Sequence, residues 1–251
     1  MKKIFTYLLI CLCILFLTAC PYTGAETIRM RSFVTGFGEP AAFRMELTDR
    51  NNIALYWEGR ETRFATFRSQ GLDRVRYDEL AARYNDLSYN RIIRFVAHTG
   101  RDYVSNGIAS IEVVSDADFD TDHPAGTSLA HFVHLLSASP IRFIESGYRE
   151  TFDWNNRPVI FLRETSIFDL FGGNSHRFPV NRLLAELEPD DFRLLGIGQS
   201  IYRPSWGWSW FFGFLVFDKE PENLGTHNLT VTIYRTCGQV LRQTIAKTFG
   251  E

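Results

Sequence analysis

Residues 229–249 have the sequence LTVTIYRTCGQVLRQTIAKTF, in which two β-type segments flank a short connection. In 229–234, apolar residues alternate with threonine and tyrosine, which is typical of a half-buried strand. Residues 240–249 form a second β candidate. The connection between them, residues 235–239, contains Gly238, as expected of an antiparallel hairpin. We therefore predict a pair of antiparallel strands at the end of a β-sandwich.

Similar patterns recur along the chain and predict a mainly β fold. Alternating segments are 27–34, 42–47 and 92–96, and further β candidates are 108–114, 159–162 and 211–217. Alternation places one set of side chains on a buried face and the other set in solvent. The predicted fold is an antiparallel, immunoglobulin-like β-sandwich with two or three short helices.

Helical spacing occurs in three places. In the first, apolar and aromatic residues recur at helical spacing with charged residues between them. These residues are Tyr77, Leu80, Ala81, Tyr84 and Leu87. The second, 180–187, groups its apolar residues on one face and stops before Pro189. The third begins at Ser128, a suitable N-cap, and covers 129–136. We interpret all three as packing elements.

The N-terminus is typical of a bacterial export signal. Lys2 and Lys3 precede an apolar run over 4–17, and the sequence Leu-Thr-Ala-Cys ends at Cys20. The run is shorter than the roughly 20 apolar residues that a membrane span needs. Leu-Thr-Ala-Cys resembles the lipobox of bacterial lipoproteins, in which the peptide is cut before a cysteine whose sulfur carries diacylglycerol. The alternatives are a plain cleaved signal and an uncleaved anchor.

This resemblance implies a signal peptide over 1–19 and a lipid-tethered body over 20–251. Two or more acyl chains hold a protein stably at a membrane. Pro21 follows the cysteine in place of the aspartate that retains lipoproteins in the inner membrane of enteric bacteria, so we predict the outer membrane. The body could face the periplasm or the medium. It could form one large β domain or two smaller ones.

Charge and cysteine content narrow the function classes. Removing 1–19 takes two lysines from the 27 basic residues and leaves 25 against 29 acidic ones. This mildly acidic balance lacks the basic excess of a nucleic-acid-binding protein. Beyond Cys20 the predicted body has one cysteine, Cys237, so it holds no internal disulfide. We expect Cys237 to be buried as a small hydrophobe, the alternative being a reactive thiol.

The segment DADFDTDHPAGT, residues 116–127, is the stretch most suggestive of a ligand. Its four alternating carboxylates, which would supply the oxygen ligands that Ca²⁺ prefers, are Asp116, Asp118, Asp120 and Asp122. The EF-hand pattern is not met, because Thr127 occupies the position of the bidentate glutamate. We favour a solvated turn, with a calcium site as the alternative.

Other candidate sites are weaker. His123, His131 and His134 suggest zinc, because residues three apart share a helix face, but the His-Glu-x-x-His arrangement is absent. Glu145, Glu150 and Asp153 could include the two carboxyls of a glycosidase. The sequence contains neither a Gly-x-Ser-x-Gly elbow nor a phosphate loop. We therefore predict a protein that is not an enzyme and needs no cofactor.

An aromatic row spans residues 206–214, WGWSWFFGF. In an extended strand Trp206, Trp208 and Trp210 project from one face while Gly207 and Ser209 leave the other face bare. Such a flat row of rings is typical of surfaces on which sugars stack. The favoured alternative is that these rings fill the core, as large aromatics usually do.

Two segments carry a family resemblance. Residues 108–119 with 123–129, and residues 225–233 with their return strand, are similar to a recurring pattern in uncharacterised lipoproteins of Bacteroidetes. The resemblance implies a β-rich lipoprotein and implies no activity. Together with the lipobox it leads to the hypothesis of a membrane-tethered envelope protein that binds a glycan or an envelope protein. The alternatives are a structural or assembly component of an envelope complex and, third, an envelope hydrolase.

Overall fold

The computed structural model describes residues 26–58, 63–95, 101–105, 107–163, 174–196, 198, 200–203 and 207–250. The strands in these ranges are β1 (Glu26–Met30), β2 (Gly36–Glu39), β3 (Phe43–Leu47), β4 (Ile53–Glu58), β5 (Arg63–Thr66), β6 (Arg91–Phe95), β7 (Asp102–Val104), β8 (Ile108–Ser115), β9 (Val133–Ser139), β10 (Phe178–Leu183), β11 (Ser200–Arg203), β12 (Gly207–Phe217), β13 (Gly225–Arg235) and β14 (Val240–Phe249). The helices in the same ranges are α1 (Gly71–Arg83) and α2 (Ile141–Glu145). The 3₁₀ turns described there cover Trp154–Asn156, Val159–Arg163, Leu184–Glu186 and Pro189–Phe192.

The largest sheet has six strands in the order β10-β9-β12-β4-β3, with β11 also paired to β12. A second sheet has the order β14-β13-β8. Two smaller sheets are β5-β2-β7, in which β2 and β7 are parallel, and β1-β6. The other pairings are antiparallel, and the predicted hairpin is present as β13 and β14.

The six-stranded and three-stranded sheets share one core and form a sandwich. From the six-stranded sheet come Phe43, Ile53, Leu55, Val133, Leu135 and Leu215, and from the three-stranded sheet come Ile108, Ile111, Val113, Leu229, Val231 and Ile233. Each of these side chains is buried. The predicted mainly β, antiparallel sandwich is confirmed.

The six-stranded sheet is also covered on its second face. A separate cluster joins Ala54, Tyr56, Leu136, Ala138, Phe214 and Val216 to Trp154 and Phe161 of the 3₁₀ turns. Strands β4 and β9 are consequently buried along almost their whole length, and so are residues 211–216 of β12. A sheet covered on both faces has nearly continuous apolar strands in place of alternation.

A third core surrounds α1, whose buried residues are Tyr77, Leu80 and Ala81, as the helical spacing predicts. The carboxylate of Asp86 is fully buried beside this helix. It accepts hydrogen bonds from the backbone N–H groups of Phe33 at 2.7 Å and Val34 at 2.8 Å and from the Tyr148 hydroxyl at 2.9 Å. Burial raises the pKa of Asp86 although these bonds oppose the rise.

Three element predictions are wrong. Residues 133–139 form β9 where a helix was predicted over 129–136, because a short apolar run fits a doubly buried strand as well as a helix. Residues 180–187 form the end of β10 and a 3₁₀ turn, because pairing with β9 overrides local helical spacing. Residues 159–162 lie in a 3₁₀ turn in place of a strand, and the Phe161 N–H donates to the carbonyl of Pro158.

The prediction that Cys237 is buried is also wrong. Cys237 is a free, exposed thiol in the turn between β13 and β14. The turn places it at the end of the hairpin, where neither sheet covers it.

We predict that Asp86→Ala lowers the free energy of unfolding by about 3 kcal/mol, because two buried N–H groups lose their acceptor. Chemical denaturation followed by circular dichroism measures the change. The matched control is Asp49→Ala at an exposed carboxylate, which should alter stability by less than about 0.5 kcal/mol. Equal effects of the two substitutions would contradict the role assigned to Asp86.

Candidate functional site

Part of the predicted site lies outside the described residues. Cys20 and Trp206 belong to that part, and so does the side chain of Trp208, although its backbone lies in β12. Of the three tryptophans of the predicted row, Trp210 alone has a described side chain. It packs against the sandwich core, its ring centroid lies 4.6 Å from that of Phe64, and its Nε1 is buried. At this position the ring is partly buried against the core.

The four aspartates of 116–122 take part in local structure. Asp116 accepts hydrogen bonds from Asn228, from its backbone N–H at 2.8 Å and from its Nδ2 at 2.6 Å, and these bonds lower the pKa of Asp116. Asp118 accepts one from the backbone N–H of Ala125 at 2.8 Å. Asp122 is exposed. Asp116 therefore ties the segment to β13, and Asp118 closes its turn.

Asp120 occupies the centre of a small charged cluster. Its carboxylate lies 2.6 Å from Nζ of Lys219 and 2.6 Å from Nδ1 of His123. The hydrogen bond from Lys219, followed by that from His123, holds the pKa of Asp120 well below its usual range. In the described part of the chain, no group of three or more His, Cys, Asp or Glu side chains is placed to share a metal ion.

The histidines proposed as zinc ligands are separated in the fold. His131 is exposed in a turn, and His134 lies in β9, so the helix face that would have paired them does not exist. The ring nitrogens of His134 lie 3.0 Å from Oδ1 of Asn181 and 2.7 Å from Oδ2 of Asp218. His134 thus links β9 to β10 and to the end of β12.

The glycosidase candidates each have a structural partner. Glu145 pairs with Arg193 at 2.9 Å, and Glu150 pairs with Arg142 at 2.6 Å. Asp153 accepts hydrogen bonds at the start of a 3₁₀ turn. All three carboxylates are therefore engaged in local contacts of the fold.

A cleft of about 400 Å³ lies where α2, β10 and the Pro189–Phe192 turn meet. Its lining combines apolar and charged side chains, namely Ser139, Ile141, Arg142, Glu145, Phe152, Phe178, Pro179, Val180, Asp190, Asp191 and Arg193. The Arg142 guanidinium lies 4.9 Å from the centroid of the Phe178 ring. Ligand pockets of proteins have this range of volume and this mixture of groups. Glu145 is the cleft residue that sequence reasoning singled out.

A second cavity, of about 240 Å³, lies beside the end of β14. Its lining residues are Arg50, Asn51, Asn52, Phe217, Asp218, Lys219, Glu220, Lys247 and Phe249. Lys247 is 5% exposed, and its Nζ donates a hydrogen bond to the carbonyl of Asn51. Burial lowers the pKa of Lys247 to about 8, and the nearby Glu220 carboxylate opposes this fall only in part.

Sequence reasoning missed both cavities. Their residues come from segments far apart in the chain, such as Asn51 and Lys247, which are 196 positions apart. One signal was present in the sequence. Strand alternation in β14 places Lys247 on the same face as the apolar Leu241, Ile245 and Phe249, which turns a charged residue inward.

Comparison of the chain with protein-family models, characterised proteins and solved structures finds no match. Among the described residues, no helix is both long enough and apolar enough to cross a membrane. The N-terminal sequence and the two cavities are therefore the features of the chain that bear on its function.

The lowered pKa of Lys247 predicts a pH-dependent stability. Between pH 8 and pH 10.5 the unfolded chain binds more protons at this lysine than the folded chain does, so the free energy of unfolding rises with pH. From pH 7 to pH 9.5 we expect Lys247 to contribute a rise of about 2 kcal/mol, which Lys247→Met removes. We keep the measurement below pH 10 because two tyrosines act in the opposite direction above it. Burial raises the pKa of Tyr77 and Tyr148 to about 12, so between pH 10 and pH 12 the unfolded chain loses protons that the folded chain keeps, and the free energy of unfolding falls.

Urea denaturation at both pH values measures this rise. Lys219→Met is the control, because it removes the exposed, ion-paired lysine and keeps the buried one. A rise that persists in Lys247→Met would contradict the assignment.

Proposed function

We propose that the chain is a lipoprotein of the cell envelope, tethered to the outer membrane through a lipid on Cys20, that binds a ligand without converting it. The sequence Leu-Thr-Ala-Cys over 17–20, after a basic and apolar N-terminus, supports the tether. The resemblance of two segments to Bacteroidetes lipoproteins supports the same compartment. No nucleic acid is expected as a partner, because the predicted body is mildly acidic.

The cleft beside α2 is the observation that carries the binding proposal. Its apolar lining, including the half-buried ring of Phe152, suits the apolar face of a sugar. Arg142 and Glu145 at its rim supply donors and acceptors for hydroxyl groups. We therefore favour a glycan as the ligand and place it in this cleft, in preference to the tryptophan row of β12.

Binding is favoured over hydrolysis by the contacts of the acidic groups. The cleft carboxylates Glu145, Asp190 and Asp191 lie 2.9, 3.7 and 3.6 Å from arginine nitrogens. Each carboxylate is therefore already engaged by an arginine of the chain, whereas glycoside hydrolysis needs two carboxyl groups that act on the substrate.

A structural or assembly role is the second candidate, and one observation favours it. Leu72 and Val75 are three residues apart on α1 and are 82% and 53% exposed. An exposed apolar pair of this kind suits contact with another envelope protein. Cross-linking at position 72 in intact cells would capture such a partner, and recovery of the uncross-linked chain alone would count against this role.

We predict that Cys20→Ser abolishes incorporation of an alkyne-labelled fatty acid and releases the chain from the membrane fraction. The serine hydroxyl cannot replace the thiol that the lipid-transfer reaction needs. Cys237→Ser is the matched control, because Cys237 is the other cysteine beyond the predicted signal, and this variant should be labelled as the wild type is. Incorporation of the labelled fatty acid into Cys20→Ser would contradict the proposal that the chain is tethered through Cys20.

We predict that the chain binds one or more members of a glycan panel. Either Glu145→Gln or Arg142→Gln should weaken this binding about 10-fold, which corresponds to a loss of about 1.4 kcal/mol of binding free energy. Titration calorimetry measures the affinity. Arg149→Gln, at an exposed arginine that does not line the cleft, is the control. Binding unchanged in both cleft variants, or no glycan bound at all, would reject the glycan cleft.

A further inference from the structure

Lysine is rare in this sequence. The chain has four lysines and 23 arginines, and two of the lysines, Lys2 and Lys3, lie in the predicted signal. Of the remaining two, Lys219 is exposed and paired with Asp120, whereas Lys247 is buried at the wall of the 240 Å³ cavity. An arginine stays protonated in proteins, but a buried lysine can become a neutral amine.

The surroundings hold the Lys247 amine in one position. Its Nζ donates to the carbonyl of Asn51 and lies 4.6 Å from the centroid of the Phe249 ring and 5.8 Å from that of Phe217. Asn51 adopts a left-handed conformation with φ of 59°, and its Nδ2 donates to the carbonyl of Thr248 at 2.6 Å. The turn that carries the acceptor is thereby tied to the strand that carries the amine.

We propose that Lys247 is an imine-forming amine that captures a small carbonyl compound bearing a carboxylate, with Arg50 as the partner of that carboxylate. The cavity volume equals roughly eight water molecules at about 30 Å³ each, which suits a molecule the size of glyoxylate. This inference goes beyond the proposed glycan binding, since it concerns another cavity.

The charges of the cavity select the carboxylate. The Arg50 guanidinium lines the cavity and has no ionic partner among the described residues. The other charged groups of the lining have partners. Lys219 pairs with Asp120, Asp218 contacts His134, and Glu220 accepts a hydrogen bond from the backbone N–H of Gly250. Arg50 is thus the cation available to an anionic ligand, and a guanidinium binds a carboxylate through two parallel hydrogen bonds.

The chemistry needs no further reagent. The neutral Nζ attacks the carbonyl carbon to give a carbinolamine, which loses one water to form the imine, and the proton of the ammonium passes to solvent. Because burial lowers the pKa of Lys247 to about 8, about a tenth of the side chain is neutral at pH 7, far more than for an ordinary lysine.

The experiment is reductive trapping on the detergent-solubilised full chain. The chain is incubated at pH 8 with millimolar glyoxylate and cyanoborohydride, and peptide mapping by mass spectrometry compares the two lysines beyond the signal. We expect Lys247 to be labelled at least 10-fold faster than Lys219. Labelling of Lys247 no faster than Lys219 would overturn the proposal, and this comparison needs no variant that could fail to fold.

Two further arms test the parts of the site. Lys247→Arg should lose that label while keeping the circular dichroism spectrum of the wild type. Arg50→Gln should slow trapping of glyoxylate about 10-fold but leave trapping of acetaldehyde, which has no carboxylate, unchanged. Equal trapping of glyoxylate in Arg50→Gln and wild type would overturn the role of Arg50. Glycan binding is measured independently in the other cleft.

Discussion

The structure depends on burying both faces of one sheet. Strand β12 pairs with β9 on one side and β4 on the other, and its side chains fill the sandwich core and the second core alternately. A bulge between Phe211 and Gly213 shifts the pairing with β4. A Cβ at Gly213 would lie 2.9 Å from Cδ1 of Leu135, so glycine permits this close approach of β9. The Ser137 hydroxyl donates to the carbonyl of Phe212 within the bulge and satisfies it.

The candidate cleft follows from the same arrangement. Strand β10 extends the six-stranded sheet beyond β9, and the turns that lead into and out of it carry the cleft residues. The second cavity lies where the turn between β3 and β4 and the end of β12 meet the end of β14. A rigid sheet with functional residues on the connections at its rim is a common arrangement of binding sites.

The sequence predicts the half-buried strands well and the doubly buried ones less well. Alternation correctly located β3 and β13, and the further β candidates 108–114 and 240–249 correspond to β8 and β14. One face of each of these strands meets solvent or a layer boundary. It failed at β9, whose continuous apolar residues match a helix equally well. Pairing with β12, some 80 positions further along the chain, makes this segment a strand and not a helix. The periodicity of the local sequence cannot reveal a partner at that distance.

The cavities could not be predicted from the sequence for a related reason. Runs such as 116–122 and 206–210 attract attention because their residue types repeat. In the structure, Asp116, Asp118 and Asp120 make local hydrogen bonds and ion pairs, and Trp210 packs partly buried against the core. The residues that line the cavities are dispersed and ordinary in sequence. Lys247 becomes notable only when Asn51 and Phe249 surround it.

The six-stranded sheet, covered on both faces, should be the most stable part of the fold. Amide hydrogen exchange measured by mass spectrometry tests this directly, because protection reports the free energy of local opening. We expect amides of β4, β9 and β12 to exchange slowest and at a common rate, well behind those of β1 and β6. Exchange in β9 as fast as in β1 would show that the sheet is not the most stable part.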